Sequence, residues 1–303
     1  MAYRDAPWLY DLIPLIAQKI DQPVDDTGRL TWEDPAELVR ACNQEHEYLF
    51  RRISALAANM DIKIDTSITV ASGSQRALLP TDLRKLRYVN EIDSAGNVIR
   101  PIQGGSWERL GKFEKDAIFL PRDSSNSGRA VLYFTKPTIG SMKLQVVYHY
   151  APLPLVHGLV RDSGNTTVQL GLHESGEDDV LNGAVLYLPE GTGSGQTKTI
   201  TDYDGDTRTA TVSAWAPLPS EDTTYTSRLD LPRDATDAFV YGVCCRLAEK
   251  LQDERRQEWA NERERHLAEM KDDVTNLDNQ APTITRDDSA DIHGDPLYTY
   301  HSL

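Results

Sequence analysis

The chain has 303 residues, of which 39% are hydrophobic and 26% charged, and its formal net charge is -15. This composition supports a packed core, so wholesale disorder is excluded, and the length suits two or so compact units. The acid surplus excludes a surface that grips nucleic acid through its phosphates, and no run of about 18 apolar residues offers a membrane span.

The opening stretch MAYRDAPWLYDLIPLIAQKI carries Arg4, Asp5 and Asp11 and does not read as a signal peptide. Within it, Leu9, Leu12, Ile13, Ile16 and Ile20 share one face and predict a helix over Trp8 to Ile20, with Pro14 predicting a kink or a later start. A second helix is predicted from a cap at Asp34 to about Asn59. Pro35 stands at its first position, Glu37 three residues after the cap, and Leu38, Cys42, Leu49, Ile53, Leu56 and Met60 form its stripe.

The period then changes to two. Ile62 and Ile64, then Ile68 and Val70, alternate with polar residues. In LLPTDLRKLRYVNEI, Pro80 and Asp82 predict a short helical turn leading into a strand. DSAGN is a turn, NVIRPI the returning strand, SWERLGKFEKD a short amphipathic segment, and GRAVLYFTKP and SMKLQVVYHYAPLP two further strands.

From Gly158 to Arg228 short apolar runs alternate with Gly, Thr and Asp, and eleven acids face four bases. This reads as a small β unit inserted between the sheet and the longest helix. That helix has Asp234 as its cap, Asp237 three residues on, and Phe239, Val240, Val243, Cys244, Leu247 and Leu251 as its stripe. It thins after Leu251 into a polar run in which Glu258, Glu262 and Arg265 mark a solvated face interrupted by Trp259. Residues 276 to 303 read as an extended tail punctuated by Pro282, Gly294 and Pro296.

The glycine-rich stretch GTGSGQTKTITDYDGDTRTATV invites a nucleotide reading. Lys198 follows a threonine rather than a glycine, and Gly191, Gly193 and Gly195 miss the dinucleotide spacing. A phosphate loop must also open a helix, whereas TKTITDY is β-branched. The reading is therefore a strand, a glycine loop and a hairpin turning at Asp204-Gly205. Asp202, Asp204 and Asp206 lack the glycine and glutamate of a calcium loop, so acidic turns are the expectation. His46 between Glu45 and Glu47, and His266 after Glu262, read as helix surface. Cys42, Cys244 and Cys245 read as reduced thiols packed as small apolar residues. No catalytic, cofactor or metal constellation emerges.

Three features in order, LLPTDLRKLRYVNEI after a helical N-terminus, VVYHYAPLPLV, and LDLPRDATDAFVYGVCCRLAEKLQDE, resemble the head-to-tail adaptor (connector, or tubular) proteins of tailed bacteriophages. GTGSGQTKTITDYDGDTRTATVSAW with the closing TTYTSR is similar to a small β module of phage virion proteins. The resemblance covers most of residues 30 to 260. It implies a structural, non-enzymatic virion protein of the neck, assembled in the host cytoplasm. It also implies a homo-oligomeric ring of about twelve copies, since rings of identical head-to-tail contacts are physically ordinary. Implied partners are the portal protein, a tail nozzle or tail tube protein, tail fibres, and double-stranded DNA passing through the lumen without specific binding; no membrane is involved.

The expected fold is α+β. Residues 1–60 and 229–275 form a helical bundle, 61–157 a central antiparallel β region, 158–228 the inserted module and 276–303 the extended tail. Ile284, Ile292, Leu297, Tyr298, Tyr300 and Leu303 are the expected portal-docking anchors, and Trp259, Arg255 and Arg263 the subunit-contact candidates, with Trp259 expected on the surface. Other readings are a tail-completion protein, a tail component that binds or cleaves host glycans through Trp107, Trp215 and the insert's acids, and a nucleotide-using enzyme built on the glycine loop.

Overall fold

The computed structural model describes residues 6–21, 35–56, 61–105, 117–120, 130–251 and 253–280. The first apolar stripe becomes helix α1 (Leu9–Lys19), which buries Leu9, Leu12, Ile13 and Ile16. The later start suggested by Pro14 does not occur, because the helix runs through it. Burying four large aliphatic side chains at about 1.5–3 kcal/mol each outweighs an internal proline at about 3 kcal/mol. Helix α2 (Pro35–Leu56) begins at the expected proline and buries Leu38, Cys42, Leu49 and Ile53. The cap at Asp34 and the end near Asn59 lie outside the described residues.

Strands β1 (Ile62–Asp65), β2 (Thr69–Val70) and β4 (Leu83–Ile92) follow where the alternation and the Pro80 turn placed them, and β3 (Arg76–Leu78), which no period marked, lies between. The helical turn expected at Pro80 is one hydrogen-bonded turn, Leu83 N to Pro80 O at 3.2 Å. Asp82 does not cap it. Its carboxylate instead accepts from the Tyr148 hydroxyl at 2.9 Å and from Lys63 at 2.6 Å, a stronger pairing than a cap can offer. The Asp93–Asn97 turn, with Gly96 at φ 90, returns the chain into β5 (Val98–Pro101). Then come β6 (Gly104–Gly105), β7 (Ala117–Leu120), β8 (Val131–Phe134) and β9 (Met142–Tyr150). The amphipathic segment expected at 106–116, with Trp107, lies outside the described residues.

These strands make two sheets. One runs β1-β9-β4-β5, with β2 also on β9, and the other runs β3-β8-β7-β6. All the pairs are antiparallel except β6 with β7. The inner face of β9 presents Leu144, Val146, Tyr148 and Tyr150 to the main core, where Phe50 of α2 meets the Tyr150 ring edge-on at 5.1 Å.

Residues 157–227 form two four-stranded antiparallel sheets. They are built from β10 (His157–Leu159), β11 (Asp162–Ser163), β12 (Thr167–Gln169), β13 (Val185–Glu190), β14 (Thr197–Thr199), β15 (Asp202–Asp204), β16 (Thr209–Thr211) and β17 (Thr224–Ser227). A second hydrophobic cluster lies here, containing Leu186, Leu188, Tyr203, Trp215 and Tyr225. The chain enters and leaves side by side, with Val156 N bonded to Ser227 Oγ and Ser227 N to Val156 O, both at 2.9 Å. The expected single strand TKTITDY divides between the two sheets. The hairpin turns over residues 205–208 rather than at Asp204-Gly205, with Arg208 at φ 56. Gly205 is glycine for another reason: a Cβ there would meet the Gly176 backbone at 2.5 Å.

The expected long helix is two. After a 3-10 turn (Arg233–Ala235) come α3 (Thr236–Leu251) and α4 (Arg256–Gln280), packed as an antiparallel hairpin. Asp253 makes the break, its carboxylate accepting from the Arg255 N–H at 2.9 Å and pairing with the Arg255 guanidinium at 2.7 Å. Folding back buries Trp259 and Leu267, which a straight helix would leave in water. Helix α4 also extends to Gln280, past the boundary expected at 276. The chain is thus α+β, with α1 to α4 and the inner sheet faces sharing one core.

Candidate functional site

Polar residues buried between the helices form one cluster. Glu45 of α2 is fully buried. It accepts from Arg246 of α3 at 2.6 Å, and Arg263 of α4 stands 3.5 Å from its other oxygen. One carboxylate thus joins three helices. Burial raises its pKa above the ordinary carboxylate range, and the two guanidiniums oppose that rise. The carboxylate fits only because position 242 on α3 is glycine, since any Cβ there would overlap the Glu45 side chain. The next residue, His46, is buried too, and its Nε2 accepts the Asp230 N–H at 2.9 Å. Burial pushes its pKa down to about 3, so it is a neutral acceptor. The expectation of a surface His46 is corrected: positions 42, 45, 46, 49 and 53 keep the three-and-four spacing of the buried stripe, and the backbone N–H of Asp230 supplies the partner that burial demands.

A second buried cluster braces the residue 157–227 sheets. Glu174 accepts from the Tyr225 hydroxyl at 2.8 Å and the His157 N–H at 3.2 Å, and His173 lies 3.3 Å away. The same hydroxyl accepts from Gly171 N at 2.8 Å. Burial, and then the neighbouring Glu174 charge, raise the Tyr225 pKa well above that of a free tyrosine, so the phenol keeps its proton and donates it. Helix α1 is tied to this region by the Tyr10 hydroxyl on Glu190, by Tyr10 N on Thr226 Oγ1 at 3.1 Å, and by Trp8 packed on Tyr187 at 4.9 Å.

The glycine loop is a packed turn. Gly191, Gly193 and Gly195 have φ near 84, 83 and 84, and a Cβ on Gly191 would meet Asp222 O at 2.5 Å. Gly195 N bonds Leu188 O at 2.8 Å, and the Gln196 side chain ties Gly193 O to Pro217 O. The Asp222 carboxylate faces Thr192 N at 3.3 Å, and β14, not a helix, follows. A phosphate would meet a carboxylate here rather than a helix terminus. Asp204 uses a carboxylate oxygen to accept Thr207 N at 3.0 Å, closing its own turn. Among the described residues, no three His, Cys, Asp or Glu side chains are disposed to hold a metal ion, and no helix is long and apolar enough to cross a membrane.

Of the subunit-contact candidates, Trp259 is buried in the main core rather than exposed, because α4 folds onto α3 and Arg255 covers the ring at 4.8 Å. Arg255 also pairs with Asp21 at 2.8 Å, and Arg263 is engaged by Glu45 and Glu264. All three therefore serve contacts within the chain. His266 is not fully solvated either: it stacks on Tyr241 at 5.6 Å. Trp215 is buried in the second cluster, so it offers no open face to a sugar. Cys42 and Cys244 are buried free thiols, and burial raises the Cys244 pKa to about 12. The anchors Ile284, Ile292, Leu297, Tyr298, Tyr300 and Leu303 lie outside the described residues.

The buried acids and imidazoles therefore link elements of the chain to one another. The chain belongs to the SU10 adaptor protein family, a family of phage head-tail adaptors whose model matches residues 9–188. The match begins at the first residue of α1 and ends inside β13, so α3 and α4 lie beyond it. Compared with curated proteins, the chain finds no match.

Proposed function

We propose that this chain is the ring-forming adaptor that docks beneath the portal and joins the phage head to the tail, with DNA passing through the ring. The observation that carries this reading is the family match over residues 9–188. Two features support it. The helices are locked together by Glu45 with Arg246 and Arg263, giving a stiff layer suited to transmitting load between neighbours. The net charge of -15 suits a lumen along which phosphate slides instead of sticking. In this reading about twelve copies close the ring through identical heterologous contacts. The segment bearing Ile284, Ile292, Leu297, Tyr298, Tyr300 and Leu303 seats on the portal, and the opposite end of the ring receives a tail nozzle or tube protein. Residues 158–228 are a separate inserted unit that faces outward, where tail fibres attach.

Sedimentation of the purified protein, alone and mixed with portal, tests the ring. A monomer in both conditions overturns the reading. Deleting residues 280–303 leaves a folded protein that no longer attaches to portal; retained attachment removes that segment from the docking role.

A further inference from the structure

One face of the β1-β9-β4-β5 sheet carries the core, and the other carries a mixed patch set by the register. Across that outer face, Lys85 lies opposite His149 and His149 opposite Ile62. In the next row Tyr88 is paired with Val147 and Val147 with Ile64, and beyond them Asn90 is paired with Gln145. Ile64 is 61% exposed and Tyr88 51%, while Val147 between them is buried. At the Lys85 end, where α2 terminates, Arg51, Arg84, Lys85, Arg87 and His149 line a shallow depression of about 260 Å³. Buried Asp61 organises its floor, accepting from Arg84 and lying 2.9 Å from His149 Nδ1. Arg51 pairs with Glu47 one turn earlier. With Arg51 and Arg84 set against these two carboxylates, Lys85 adds a further cation to the depression, in a chain with 47 acids and 32 bases.

We infer that this face is the surface through which one copy of the chain grips the next, receiving an acidic part of a second copy. This rests on the ring reading proposed for the chain and deepens it by naming one side of the contact. An apolar centre flanked by arginines and a tyrosine is the anatomy of a protein interface. Duplex DNA would reward the cations but would gain nothing from Ile64 and Tyr88 beside them. In a head-to-tail ring the patch must meet a different surface of the neighbour. Because the bases are outnumbered 47 to 32 over the whole chain, and the patch takes four of them, the remaining surface of a second copy is more acidic still. A cationic patch on an acidic subunit also sets orientation, since like-charged faces repel.

The test uses the full-length protein. Lys85→Glu with Arg87→Glu, and separately Tyr88→Ser, are compared with wild type by mass photometry and sedimentation, with and without portal, after circular dichroism shows an unchanged fold. Each variant is expected to raise the concentration needed for assembly about tenfold or more, and Lys85→Gln to do so more weakly. Zero-length carbodiimide cross-linking of mixed light and heavy-isotope protein is expected to join Lys85 to a carboxylate of the other isotope. Normal assembly by the variants, or a Lys85 cross-link confined to single copies, overturns the inference while leaving the ring reading intact. Loss of duplex DNA binding by the variants with assembly unchanged also overturns it. A wild type that is monomeric under every condition removes the ring reading itself and this inference with it.

Discussion

The helical layer and the residue 157–227 region solve the same packing problem in different ways. The helical layer gathers side chains from both ends of the sequence, so that α1, α2, α3 and α4 share a core with the sheets. Its buried polar groups, Glu45 and His46, are paired with residues about 200 positions away, Arg246 and Asp230. The other region packs its own hydrophobic cluster from short strands, and its buried Glu174 is satisfied by Tyr225 and His157 of the same region. One part is stabilised by long-range helix contacts around a buried ion cluster, the other by local turns, positive-φ glycines and a hydroxyl network. A disturbance in either is expected to stay largely there.

The largest expected effect falls on the helical layer. Phe239 on α3 is completely buried, and Phe239→Ala is expected to cost about 3–5 kcal/mol in denaturant unfolding. If the two regions are as separate as their cores, a probe such as Trp215 fluorescence reports a much smaller shift than helical ellipticity does. Coincident shifts would mean that the regions unfold as one unit.

The reciprocal change is smaller. Tyr225→Phe removes the hydroxyl that links Gly171 N to Glu174 and leaves both partners buried, so it is expected to cost about 1–3 kcal/mol. The loss should be read by Trp215 and barely by the helices. A hydrogen-exchange map in which α3 loses protection instead would break the comparison.

The mildest test is pH. His46 is held neutral, its pKa lowered from the ordinary 6.5 to about 3. A lowered histidine contributes stability that is complete above pH 6.5 and is lost as the pH falls toward 3, at up to about 1.4 kcal/mol per pH unit. Glu45, whose pKa is raised, works in the opposite sense, because protonating it on acidification relieves its buried charge. Its relief sets in above the ordinary 4.5, so the histidine's share is isolated by comparing wild type with a His46 variant in which Glu45 is unchanged. His46→Gln, which keeps an acceptor for Asp230 N, is expected to flatten the melting-temperature slope between about pH 6.5 and 5.5. An unchanged slope would place the titrating group elsewhere.

Much of this architecture was legible in the sequence. Period marked α1, α2, most of the strands through Tyr150 and the stripe of α3, because apolar spacing and turn residues act over a few positions. The glycine loop was legible as a turn for the same reason. The break at Asp253 was not: DERRQEW has no glycine or proline, and only the fold-back that buries Trp259 makes two short helices better than one long one. Glu45 and His46 were hidden by their chemistry, although their spacing from Cys42 and Leu49 was the signal that placed them inside.

The sequence by itself determined the family, the α+β class and the acid surplus, since these depend on local pattern and composition. Only the tertiary structure decided that Glu45 would meet Arg246 and Arg263, that Trp259 would be interior, and that Arg51, Arg84, Lys85 and Arg87 would gather beside Ile64 and Tyr88. Those outcomes hang on strand register and helix reversal, which bring distant positions together through contacts that no local period encodes.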